Sequence, residues 1–341
     1  MRTLIIAEAG VNHNGDLNLA KRLVDIAELA GADFVKFQTF TADNLAAKDA
    51  PKAEYQKKNF DNGDDYQFNM LKKLELSKED HFILVDYCKD KKVKFLSSAF
   101  DLESLDFLVE LGIDLFKIPS GEITNLPYLQ KISKLKGKVI LSTGMANMEE
   151  IKMALNVLAS NGKSLSDIVV LHCNTDYPTK FSDVNLLAMN TIAKECDVVV
   201  GYSDHTLGIE IPIAAVALGA KVIEKHFTID KKLPGPDHVA SLEPEELINM
   251  VKSIRHIEEA MGNGVKKPSS SEMNNIEIVR KSLFLKTALA SGHILTEGDF
   301  LTKRPGNGIS PMDIPKIIGK KLLQNVGKGE MFGYSMVKAN N

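Results

Sequence analysis

At 341 residues the chain is long enough for a barrel of about 250 residues and one further small domain. Its formal net charge is −3, with 42 basic and 45 acidic side chains interspersed, so there is no basic stripe for nucleic acid. No run reaches the roughly 18 apolar residues of a membrane span. The cysteines Cys88, Cys173 and Cys196 form neither a CxxC pair nor a disulfide ladder. That usage, and the absence of a signal-peptide pattern before the first apolar run, points to a reducing cytoplasm.

In chain order, apolar runs lie at 4–10, 34–38, 94–100, 115–120, 139–144, 168–173, 198–203 and 222–227. Amphipathic stretches such as 17–30, 149–161 and 209–218 separate most of them. Strand and helix therefore alternate eight times, the count of a (β/α)8 TIM barrel. The second run is followed by a long segment, 41–76, of the kind that shapes a barrel mouth. Pro244–Met261 reads as the last barrel helix, with 241–246 resembling a capped start.

Residues 1–262 are thus assigned to the barrel. Residues 263–279 are read as a linker, because 262–275 (GNGVKKPSSSEMNN) is rich in Gly, Lys, Ser and Asn with little apolar periodicity. Residues 280–341 form a second, small β-rich unit. Within it 289–295 (LASGHIL) and 326–332 (VGKGEMF) echo one another, each with a glycine just before an apolar pair, which suggests related hairpins.

Barrel enzymes place their sites at the C-terminal strand ends, where this chain carries Glu8, Lys36, Gln38, Ser98, Ser120, Glu122, Ser142, Asn174, His205, Glu224 and His226. Glu224 and His226 are two apart and share a face, and His205 ends the neighbouring strand. Two imidazoles at adjacent strand ends form half a shell for a divalent ion, Mn2+ or Mg2+ in preference to zinc, since no thiolates accompany them. Lys36 and Lys117 lie in apolar strands and must find an anion. An ion pair with Glu8 or Glu122 would meet that need. So would a cradle for phosphate and carboxylate, completed by Ser98, Ser120, Ser142 and Asn174. Glu8, ending the first strand, is placed to handle protons on water or a carbonyl. Cys173 reads as a small buried hydrophobe, and 303–308 (KRPGNG) as a basic, glycine-rich loop that could serve as a lid.

The runs AEAGVNHNG (7–15), VKFQTF (35–40), KIPSGE (117–122), LSTGM (141–145), HCNTDYPT (172–179), GYSDHT (201–206), EKHFT (224–228), GPDH (235–238) and KRPGNGIS (303–310) together resemble the sialic acid synthase family. The likeness spans nearly the whole chain, and its last part resembles the family's antifreeze-like (SAF) domain. It implies condensation of phosphoenolpyruvate with N-acetylmannosamine or a related 2-acetamido sugar, with release of phosphate. It further implies Mn2+, with Mg2+ or Co2+ as alternatives, on His205 and His226. Phosphoenolpyruvate would be held by Lys36, Ser98, Lys117, Ser120, Ser142 and the pair Asn174/Thr175. Gln38, Tyr177 and Asp237 would surround the sugar, and Glu8, Glu224 and His226 would be catalytic, with Glu8 or Glu224 guiding the proton of the attacking water. Family members cap the barrel of a partner in a domain-swapped homodimer, so Arg304 would reach the sugar's acyl amide in trans. Two departures stand out: 97–100 reads SSAF where the family often has STPF, and Thr175 stands where some members have asparagine. A legionaminic acid synthase, taking 2,4-diacetamido-2,4,6-trideoxymannose, would carry the same motifs. A noncatalytic carbohydrate- or ice-binding protein would leave both lysines and both histidines idle.

Overall fold

The computed structural model describes residues 2–60 and 63–337. The chain divides into two compact units, Met1–Gly262 and Asn263–Asn341. In the first unit, β1 (Leu4–Gly10), β2 (Phe34–Thr39), β3 (Lys94–Ala99), β4 (Leu115–Ile118), β5 (Lys138–Ser142), β6 (Ile168–Cys173), β7 (Val199–Asp204) and β8 (Val222–His226) close into a parallel barrel in sequence order. The chain winds helices around it: α1 (Leu17–Leu29), the insertion helices α2 (Ala42–Leu45), α3 (Glu54–Asn59) and α4 (Gln67–Leu74), then α5 (Lys78–Lys91), α6 (Leu102–Glu110), α7 (Leu126–Lys134), α8 (Met148–Ser160), α9 (Leu187–Cys196), α10 (Glu210–Ala217) and α11 (Pro244–Met261).

Local chemistry explains these elements. The Asp16 carboxylate caps α1 by accepting from Asn18 N and Leu19 N, and the helix buries Ala20, Leu23, Val24 and Ala27, the i, i+3, i+4, i+7 stripe of one face. Each large side chain so buried contributes roughly 1.5–3 kcal/mol. Asn147 caps α8 in the same way. At Gly201 a Cβ would stand 2.3 Å from Val222 O, so no other residue allows β7 and β8 to approach as they do.

The barrel interior is divided along its axis. Ile6, Leu96, Ile140, Leu171 and Val222 form an apolar plug near the strand beginnings. One inward layer further on, the register sets Glu8 beside both Lys36 and His226, Gln38 beside Ser98, Ser98 beside Lys117, and Ser203 beside Glu224. Parallel strands with matched registers thus stack one apolar layer and one charged layer. The 41–76 insertion packs Ala42, Met70, Leu71 and Leu74 with Val11 and Phe40 into an apolar cluster of its own.

The second part of the segment read as a linker is helical, α12 (Ser270–Val279). Glu272 Oε2 accepts from Ser269 N at 2.8 Å and from Ser269 Oγ at 2.9 Å, a capped start. None of the residues of α12 is buried, which is why apolar periodicity did not reveal it. Beyond it β9 (Ser282–Leu285) and β10 (Phe300–Lys303) pair antiparallel. The two echoing segments pair with each other: Leu289 and Val326 exchange backbone hydrogen bonds of 2.9 and 3.0 Å. Leu283, Leu285, Leu295, Ile309, Ile317, Leu322, Val326, Phe332 and Val337 form this unit's core. Among the described residues no helix is long and apolar enough to cross a membrane.

Candidate active site

Four buried charged side chains meet in the charged layer. Lys36 Nζ lies 2.7 Å from Glu8 Oε2 and 3.7 Å from Glu224 Oε2, and donates to Ser98 Oγ at 3.1 Å. Lys117 Nζ is 3.2 Å from Glu224 Oε1, which also accepts from Ser203 Oγ at 3.0 Å. Gln38 Nε2 donates to Glu8 Oε1 at 3.4 Å. Of the two carboxylates open as partners for the lysines, Glu8 serves and Glu122 does not; Glu122 accepts from Asn125 Nδ2 instead.

The two inward carboxyls are driven apart. Burial raises the Glu8 pKa, and the nearby Glu224 charge adds to that, outweighing the contact with Lys36. Burial would raise Glu224 too, but Lys117 and Lys36 together hold it below the usual range. One carboxyl is therefore able to exchange a proton near neutrality, while its neighbour stays ionised. Lys36, facing both carboxylates, is held protonated in spite of its burial, whereas burial lowers the Lys117 pKa.

His205 and His226 stand with ring centroids 5.5 Å apart. His205 Nδ1 bonds the Asn174 carbonyl oxygen, which leaves Nε2 for another partner, and His226 Nδ1 is buried with no hydrogen bond. Burial lowers both imidazole pKa values, His205 to about 4, so both rings are neutral and able to act as ligands at pH 7. Among the described residues no group of three or more His, Cys, Asp and Glu is arranged to hold a metal.

The other expected residues have these surroundings. Ser142 is buried at the end of β5, its Oγ without a partner. Ser120 Oγ accepts from Gly144 N at 3.0 Å and lies 3.3 Å from the buried Cys173 Sγ. A Cβ on Gly144 would meet Thr175 Cγ2 at 2.5 Å and Ser120 Oγ at 2.8 Å, so this close approach requires glycine. The Asn174 side-chain amide donates to Asp183 O at 2.8 Å, leaving its Oδ1 buried and unpaired. Tyr177 lies against His205, centroids 4.1 Å apart, and edge-on to His226 at 5.7 Å. Asp237 is buried in the loop after β8, and burial pushes its carboxyl up to about 7. Arg304 belongs to the second unit, where it is exposed and its Nε donates to Val279 O at 3.0 Å.

Two groups escaped the sequence reading. Lys225 and Asp204 sit on the outer faces of β8 and β7 as a fully buried ion pair, 2.6 Å apart. Both alternate with the histidines, a signal readable from the strands' period of two. In the insertion, the Tyr55 ring lies tilted against Tyr177 with centroids 4.8 Å apart, and Asn59 Nδ2 donates to Tyr177 O and Pro236 O. No local pattern announced these long-range contacts.

A closed (β/α)8 barrel with paired lysines and carboxylates, hydroxyls and two neutral imidazoles at its C-terminal mouth defines an enzyme of the class that binds and transforms a small anionic substrate. The model of the NeuB family matches residues 23–266 and that of the SAF domain residues 280–338, and the chain belongs to the NeuB family. It is 57% identical over 330 residues, 97% of its length and 98% of the relative's, to the N,N'-diacetyllegionaminic acid synthase of Campylobacter jejuni. The corresponding enzyme of Legionella pneumophila is 50% identical over 341 residues, covering 99% of this chain and 96% of that one. Among solved structures, the N-acetylneuraminic acid synthetase of Leptospira borgpetersenii in complex with citrate superposes with a TM-score of 0.70 at 36% identity, covering 81% of this chain and 91% of that one.

Proposed function

We propose that the chain condenses phosphoenolpyruvate with a 2-acetamido sugar to a nonulosonic acid and releases phosphate, and that its acceptor is 2,4-diacetamido-2,4,6-trideoxymannose. The observation that carries the reaction is the buried Glu8–Lys36–Glu224–Lys117 cluster, ringed by Ser98, Ser120 and Ser142. Similarity at 57 and 50% to two legionaminic acid synthases favours the diacetamido sugar over N-acetylmannosamine.

In this reading Lys36 and Lys117 exchange part of their contact with the carboxylates for the phosphate and carboxylate of phosphoenolpyruvate, with hydroxyl donors from Ser98, Ser120 and Ser142 and polar groups of Asn174 or Thr175. The substrate's C3 forms a bond to the aldehyde carbon of the open-chain sugar, whose oxygen takes a proton. Water then adds at C2, and cleavage of the C2–O bond of the resulting intermediate releases phosphate. Glu8, with its raised pKa, takes the water's proton, while Glu224 remains a fixed negative charge that steadies the cationic carbon. Gln38, Tyr177 and Asp237 orient the sugar. The neutral His205 and buried, partnerless His226 suit a divalent ion, Mn2+ first and Mg2+ or Co2+ otherwise, which when bound would supply Lewis-acid polarisation of the sugar's carbonyl. The proposal includes a domain-swapped homodimer, in which Arg304 serves the partner's site, and a cytoplasmic location, which the free thiols Cys88, Cys173 and Cys196 favour.

The test is phosphate release and product mass with phosphoenolpyruvate and each sugar, in chelated buffer with and without added Mn2+. The expected outcome is metal-dependent turnover, with kcat/KM at least tenfold higher for the diacetamido sugar. Preference for N-acetylmannosamine would overturn the acceptor assignment, turnover unaffected by chelation the metal, and no phosphate release with either sugar the reaction.

A further inference from the structure

The loops after β6 and β8 hold Tyr177 and Asp237, and both are tied to one side chain outside the barrel. Asn59, the last residue of α3, donates from Nδ2 to Tyr177 O at 2.8 Å and to Pro236 O at 2.9 Å. A primary amide has two N–H donors on that nitrogen, and here both are spent on backbone carbonyls of different loops, one of them directly preceding Asp237. On the preceding turn of α3, the Tyr55 ring lies tilted against the Tyr177 ring, so a series of ring contacts runs from Tyr55 through Tyr177 to His205 and His226. Helix α3 itself is fixed by Gln56, whose Oε1 accepts from Ala53 N at 2.9 Å and whose Nε2 donates to Tyr55 OH at 3.3 Å.

The insertion is therefore fastened to two loops at once, and to a particular part of the site. Lys36, Ser98, Lys117, Ser120 and Ser142 lie on β2 to β5 or directly after β4, held by the barrel's own ladder. Tyr177 and Asp237 lie beyond the strand ends, where single bonds such as Thr179 N to His205 O and Ser241 Oγ to Asp237 O hold each loop to its own surroundings. Loops of this kind sample several arrangements unless something joins them. A single amide bridging both carbonyls couples their positions.

We propose that Asn59 is a positioning residue for the acceptor sugar: through the Tyr177 and Pro236 carbonyls it sets the distance between the two loops that receive the sugar, with Tyr55 holding the Tyr177 ring. This rests on the proposed reaction for its kinetic consequence but not for its structural one. The side chain touches no reacting atom, and its effect is on where Tyr177 and Asp237 stand.

Asn59→Asp keeps the shape while replacing Nδ2, with both its donors, by one carboxylate oxygen that faces two carbonyls. Asn59→Ala removes them without that repulsion. Two measurements on the full chain decide. In hydrogen exchange without substrates, segments 174–180 and 235–240 should both exchange at least about tenfold faster in either variant, with β1–β8 unchanged. In steady-state kinetics the KM for the sugar should rise about tenfold or more while that for phosphoenolpyruvate changes less than about twofold, and Tyr55→Phe should retain wild-type values that Tyr55→Ala loses. Unchanged exchange in either loop overturns the proposal, as does an equal rise in both Michaelis constants. Should the wild type turn over no 2-acetamido sugar, the reaction assignment falls, and exchange alone still decides whether Asn59 joins the loops.

Discussion

Two buried ion-pair systems stand back to back on β8, and they are built on opposite terms. Outside the barrel, Lys225 Nζ meets Asp204 Oδ2 and the Thr206 carbonyl, while Asp204 also accepts from Thr206 N at 3.1 Å and Thr206 Oγ1 at 3.0 Å. Both side chains are fully shielded from solvent. Inside, Glu8 Oε2 and Glu224 Oε2 make ion contacts but no well-directed hydrogen bond, and Ser142 Oγ and His226 Nδ1 have no partner. The outer pair is saturated, so it ties β7 to β8 and offers nothing to a ligand. Unsatisfied buried polar atoms are costly, and a cluster of them at a barrel mouth marks a place where a substrate completes the bonding.

The largest effect expected from this contrast is on stability. Lys225→Met leaves Asp204 buried without its counter-charge, which should cost about 3–5 kcal/mol in denaturant unfolding, while the molecules that remain folded keep most of their activity. A cost below about 1 kcal/mol would remove the distinction between the outer pair and the inner cluster.

Lys36→Met should show the reverse pattern. Glu8, whose pKa is already raised by burial, can take a proton when its partner is lost, and Glu224 keeps Lys117 and Ser203 Oγ, so unfolding should change by less than about 1 kcal/mol. The KM for phosphoenolpyruvate should rise roughly 10- to 150-fold, the equivalent of a lost charge-assisted bond of about 1.5–3 kcal/mol, with a much smaller change for the sugar. Equal effects on both substrates would make Lys36 structural.

A smaller effect is expected at Asp237, whose carboxyl is raised by burial to about 7. Between the ordinary aspartate value and about 7 the folded state binds more protons than the unfolded one, so stability falls as pH rises through that window. From pH 5 to 7 this group alone should account for a loss of about 2 kcal/mol, absent from Asp237→Asn. Parallel stability–pH curves for variant and wild type would show that the carboxyl is not desolvated.

The same contrast explains how much could be read in advance. The barrel was legible because eight apolar runs alternate with amphipathic stretches, and so were its polar strand ends, since a period of two and a fixed active face locate Glu8, Lys36, Lys117, Glu224 and His226 together. Lys225 and Asp204 obey the same period with the opposite phase. They were passed over because the outer face of a barrel strand is expected to be apolar. Helix α12 has no buried face to announce it, although the Ser269–Glu272 spacing is a capping signal. Asn59 and Tyr55 depend on contacts more than a hundred residues away in the chain, which no local pattern encodes.

The central claim is that the inner cluster is left open to receive an anion. Titration calorimetry of phosphoenolpyruvate into wild type and Lys117→Met, without sugar, tests it most directly. The account predicts saturable one-site binding to the wild type and an affinity at least tenfold weaker in the variant, with both proteins equally folded by circular dichroism. Equal affinities, or no binding to the wild type at concentrations that support turnover, would contradict it.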